Sequence, residues 1–133
     1  MTDDRRFRYV TAVMVTYWSI VLAVAQWRRS ARATLIAVNR LRAFGVPDRE
    51  IFARRRASSG DPELAALLRL AVTIVIAHGR LLAADLRFAE RHGLRTRVSE
   101  VDACTEDALA LIDAIGAADL PATPAIDMDV GDY

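Results

Sequence analysis

The sequence predicts an all-α domain, a compact bundle of about four helices, and three observations predict it. Apolar residues recur at helical spacing in two long runs, about 5–44 and 62–91. The breaks carry helix-boundary chemistry, first Gly45-Val46-Pro47-Asp48 and then Ser58-Ser59-Gly60-Asp61-Pro62. Six Gly and four Pro in 133 residues are too few for the turns of a many-stranded protein. With 53% hydrophobic and 26% charged residues, the chain has enough apolar material for a core. Its length suits one domain. We read a helical domain over 1–120 and an acidic C-terminal tail over 121–133, set off by Pro121 and Pro124.

The first helix is expected from about residue 5 to Phe44. Its uncharged stretch Val10–Ala25 is followed by an amphipathic one, with Ala31, Leu35, Val38 and Leu41 on one face and arginines on the other. Gly45 suits the left-handed position that ends a helix, and Pro47 opens a short helix to about Arg56. Ala57–Gly60 reads as a loop. Asp61 caps the second long helix, Pro62 to about Arg91, which His92-Gly93 closes. A last helix runs from about Ser99 to Ala118, with Val101, Ala108, Leu109, Ile112 and Ile115 inward and acids outward. No cleavable signal peptide is read, because Ala23-Val24-Ala25 leads directly into Gln26-Trp27-Arg28-Arg29.

The first helix is apolar all round over Val10–Ala25, and the second long helix nearly so over Leu64–Ala77. Such helices lie deep in a core or in lipid. A 133-residue monomer has little interior with which to surround two of them, so a homo-oligomer is expected. Its candidate interface is Val13, Tyr17, Ile20, Val24 and Trp27 with Leu70, Ile74 and Leu81. The alternative is a single membrane span through Val10–Trp27, about eighteen residues against the ~20 a span needs.

Charge is divided along the chain. All 18 basic residues are arginines and fall within 1–97, against eight acids, a local charge of +10. Residues 98–133 hold nine acids and no base. The division suits either an anionic partner for the basic part or an acidic part folded back upon it. One cysteine, Cys104, excludes a disulfide framework and a cysteine-built zinc site. His78 and His92 are about 21 Å apart on one continuous helix, too far to share a metal. No Gly-rich phosphate loop is present. No cofactor, metal site or catalytic set is expected.

Two segments resemble known motifs. Residues 35–56, with Phe44-Gly45-Val46-Pro47-Asp48-Arg49-Glu50-Ile51 at the centre, resemble a helix-turn-helix. The resemblance implies DNA contacts from Arg49, Arg54, Arg55 and Arg56. It departs from the pattern at Leu41, where a small residue usually permits the close crossing. Arg87-x4-His92 resembles the motif of HEPN ribonucleases, which implies acid–base chemistry at His92 and phosphate binding by Arg87. Phe88 stands where that family usually has a polar residue; with 18 Arg in the chain the spacing is expected by chance, and an exposed helix terminus is the better account of the pair.

The leading reading is a non-enzymatic, cytoplasmic helical interaction protein whose partner is another copy of itself or another protein. Nucleic-acid binding through 35–56, a membrane-associated single-span protein and an HEPN-like ribonuclease are the alternatives, in that order.

Overall fold

The computed structural model describes residues 2–119, all of them helix, turn or loop with no strand. The acidic tail expected over 121–133 lies outside the described residues. Six α-helices follow one another: α1 (Thr2–Trp27), α2 (Ala31–Ala43), α3 (Asp48–Arg55), α4 (Pro62–Ile76), α5 (Ala83–Arg91) and α6 (Val98–Asp119), with a 3₁₀ turn at Arg95–Arg97 before α6.

Four helices become six because both long runs break. Between α1 and α2 the Ser30 amide donates to the Ala25 carbonyl at 2.9 Å and the Arg29 amide to Gln26 at 3.1 Å. This closure requires a left-handed residue, and Arg29 takes it at φ 58°. Ser30 then caps α2, its hydroxyl accepting the Ala33 amide at 3.3 Å. The second break is built the same way. Gly79 donates to Ile74 and His78 to Val75, with His78 at φ 54°. The continuous helices expected over 5–44 and 62–91 are therefore each two helices. The boundaries at Gly45 and at Asp61-Pro62 lie where the sequence puts them; Gly45 adopts φ 88° and Asp61 accepts the Glu63 amide at 3.1 Å.

Helix α1 is the axis of the bundle, and α2, α3, α4 and α6 all pack on it. Trp18–Ala25 are buried without exception, which is why this stretch is apolar on nearly every side, Ser19 being its one polar residue. Leu41 from α2, Ile51 from α3, Leu67, Leu68, Leu70 and Ile74 from α4, and Val101, Ala108 and Ile112 from α6 complete the core. Thr105 is buried at no cost in polarity, because its hydroxyl donates to the Val101 carbonyl at 2.7 Å.

Helix α6 packs on α1, α4 and α2, and the Arg28–Asp113 pair at 3.2 Å joins one of its acids to an arginine distant in sequence. Arg97, just before α6, meets Glu100 at 2.9 Å and Glu63 of α4 at 3.4 Å. These pairs are exposed, so each contributes at most about 1 kcal/mol.

Candidate functional site

The first ten or so described residues of α1 extend past the body of the bundle. Phe7, Tyr9, Val10, Val13 and Met14 are exposed there, Phe7 at 71%, although the helix is continuous with the buried Trp18–Ala25. Where this extension meets the bundle, α1, α4 and α6 enclose an apolar groove of about 500 Å³. Tyr9, Val13 and Tyr17 form one wall on α1, Leu67 lies on α4, and Val101 and Cys104 lie on α6. Arg97 and Glu100 stand at its edge.

The electrostatics of the groove are those of an apolar site beside carboxylates. Burial, then the charges of Asp107 and Glu100, push the Cys104 thiol above its ordinary pKa. Burial, Cys104 and Asp107 do the same to Tyr17. Neither group is activated as a nucleophile. The Tyr17 ring meets Trp18 edge-on at 5.4 Å, which ties the groove wall to the core.

The residues expected at an oligomer interface separate into two sets. Ile20, Val24, Leu70 and Ile74 are buried within the single chain, Ile20 forming part of the groove floor. Tyr17 and Leu81 are half-buried, and Val13 (48%) and Trp27 (53%) are exposed. Only Val13, Tyr17 and Ile20 meet at the groove; Trp27 and Ile74 line another depression at the far end of α1. Phe7, Tyr9, Val10 and Met14 are not in the interface set expected from the sequence, although Val10 and Met14 belong to the same apolar run.

The arginines expected to contact nucleic acid are likewise divided. Helices α2 and α3 are joined by a four-residue turn over 44–47, with Leu41 and Ile51 each buried. Arg49 and Arg56 are exposed and Arg55 is half-buried. Arg54 points inward and is only 9% exposed. Its Nε donates to Glu50 Oε1 and its Nη1 to Ser19 Oγ, both at 3.0 Å. Ser19 in turn donates to the Val15 carbonyl at 2.7 Å. Glu50 also accepts from the Ser59 hydroxyl and the Gly60 amide. Those bonds, the Ser59 hydroxyl first, hold the Glu50 carboxyl below its ordinary pKa against the opposing effect of burial. Arg54 is thus a strut between α3 and α1, out of reach of a phosphate.

Arg87 and His92 are both exposed on α5 and its cap, with the His92 ring 4.6 Å from Phe88. Nothing in the described residues supplies a third group beside them. No group of three His, Cys, Asp or Glu among the described residues is arranged to hold a metal ion.

No family model matches the chain, and neither does any curated protein or solved structure.

Proposed function

We propose that this chain is a small helical interaction protein that self-associates through the α1 extension and the groove at its base. The observation that carries this reading is the extension itself, an apolar helical surface continuous with an apolar groove and uncovered by the rest of the bundle. A second copy suits it on charge as well as shape. Arg5, Arg6 and Arg8 lie at the tip of α1, while Glu100 and Asp107 lie beside the groove on α6. In a two-fold pair the tip of each α1 would lie over the acidic α6 of the other copy, so apolar and charged surfaces would be satisfied together.

Light scattering on chain purified without detergent tests the reading. A dimer is expected, and Val13→Arg, at an exposed position, is expected to give a folded monomer. A wild-type monomer at high micromolar concentration would refute it.

A second reading, a single membrane span, is favoured by Arg5–Trp27, which is long and apolar enough to cross a membrane by length and composition. Spanning would draw the eight buried residues Trp18–Ala25 out of the core and would strip Arg54 of its Ser19 partner. Recovery of the chain only in detergent would favour it over self-association.

A further inference from the structure

The opposite end of α1 carries a surface of different chemistry. Residues 28–56 contain nine arginines and two acids, Asp48 and Glu50, and Glu50 is already committed to Arg54. A groove of about 610 Å³ runs there along α2, between the end of α1 and α3. Arg29, Arg42 and Arg55 line it, with Leu35 and Val38 among the apolar residues between them. Arg29 and Arg42 stand at the two ends of α2, roughly 20 Å apart by the helical rise. Charge spread over that length matches a chain of several anionic groups, not one phosphate.

The present partners of these guanidiniums are readily exchanged. Arg42 meets Asp48 at 2.9 Å with both side chains more than half exposed, a pair worth little in water. Arg55 donates two hydrogen bonds, at 3.1 and 3.3 Å, to Gln26 Oε1, a neutral acceptor that a phosphate oxygen would outcompete. Arg29 has no side-chain partner among the described residues.

One turn before Arg55, α3 exposes Phe52 (57%), with the Arg56 guanidinium 4.5 Å from its ring centroid. An exposed aromatic ring beside a basic groove is the combination that binds single strands, where the cations follow the backbone and bases stack on the ring.

We propose that the α2–α3 face binds single-stranded nucleic acid, its backbone along Arg29, Arg55 and Arg42 and a base on Phe52. Duplex reading in the major groove is disfavoured by the same geometry. Helix α3 has eight residues, and Arg54, which would face the bases, is bonded inward to Glu50 and Ser19. An acidic polypeptide could satisfy the arginines, but it has no use for the stacking surface.

Fluorescence anisotropy of a labelled oligothymidylate of about fifteen nucleotides, at about 50 mM salt, tests the proposal. Binding is expected, with log affinity falling against log salt at a slope near −2, as about three phosphate contacts require. Arg29→Asn with Arg55→Gln should weaken binding about tenfold or more and flatten the slope to about −0.7, the value for one remaining contact. Asn is chosen at 29 because it tolerates the left-handed backbone. Phe52→Ala should weaken binding about fivefold or more with the slope unchanged, since it removes stacking and no charge. Circular dichroism confirms that each variant is folded. The proposal is overturned if wild type does not bind, if folded variants bind as wild type does, or if duplex DNA or polyglutamate competes as well as the unlabelled strand.

Discussion

Replacing Arg54 with Met should destabilise the fold by about 2–4 kcal/mol, far more than any other arginine of α3. Met retains most of the apolar stem, so the loss is that of the guanidinium. Two bonds at 3.0 Å disappear, one to the carboxylate of Glu50 and one to the hydroxyl of Ser19. A hydrogen bond to a charged group contributes about 1.5–3 kcal/mol and a neutral one about 1. Breaking a fully buried pair costs about 3–5 kcal/mol. Glu50 is 21% exposed and keeps the Ser59 hydroxyl and Gly60 amide, so the lower part of that range applies. Urea denaturation followed by circular dichroism measures the change, and the melting temperature should fall by roughly 7–14 °C. Arg49→Ala and Arg56→Ala, both at exposed positions, should stay within about 0.5 kcal/mol of wild type. Combining Glu50→Gln with Arg54→Met should cost less than the sum of the two, because each removes the same pair. An Arg54→Met variant as stable as Arg56→Ala would refute the assignment of Arg54 to the interior and return it to the basic surface.

Three further outcomes are expected of the fold. The Glu50 carboxyl titrates below its ordinary value near 4.5 in the folded chain, so its contribution is complete above that pH and is lost as pH falls through the lowered pKa. Urea midpoints measured down the acid limb should therefore decline less steeply in Glu50→Gln than in wild type. At Gly93, φ is 71° and an added Cβ would meet nothing within 4 Å. Gly93→Ala should thus cost about 1 kcal/mol of backbone strain alone, whereas His78→Gly should stabilise by about 0.5 kcal/mol by relieving the same strain; thermal melts compare the two. Leu68→Ala should cost about 2–4 kcal/mol by urea denaturation, because Leu68 is fully buried on α4, while Leu35→Ala, at an exposed position, should change stability by less than about 0.5.

The boundaries legible in the sequence are those whose chemistry is local. Gly45 before Pro47 and Asp61 before Pro62 each combine a helix stop or cap with a residue suited to the next first turn. The two boundaries that sequence reading passes over put Arg29 and His78 in the left-handed position where glycine is the usual occupant. Apolar periodicity continues in phase through both, so nothing in the pattern marks the change of direction. Ser30 was the available signal at the first break and Gly79 at the second. Arg54 illustrates the same limit at the candidate site. Three adjacent arginines look equivalent in a one-dimensional reading, yet Arg54 lies one turn after Ile51, on the buried face, and four residues after Glu50. That phase relation is present in the sequence; the Ser19 contact, 35 residues away, becomes evident only in the fold.

The breaks also account for how a chain of this size accommodates so much apolar helix. A helix of forty residues would be about 60 Å long, far beyond what a domain of roughly 100–150 residues can surround. Turning at Arg29 brings α2 back along α1, and turning at His78 sends α5 against α4, while Trp18–Ala25 are enclosed by the chain's own α2, α3, α4 and α6. Much of the apolar excess that points to an oligomer is thereby covered; the α1 extension and its groove stay open, as do Trp27, Ile76 and Leu82 elsewhere on the surface. The turn at Arg29 has a second effect, because it gathers the arginines of 28–56 at the other end of α1. Val10 and Arg28 are eighteen residues apart on or at the end of one helix, roughly 27 Å by its rise. A second copy on the extension would therefore leave the basic groove uncovered. In such a pair two basic grooves would be joined in one assembly, so a strand long enough to reach both would bind more tightly than one that fills a single groove.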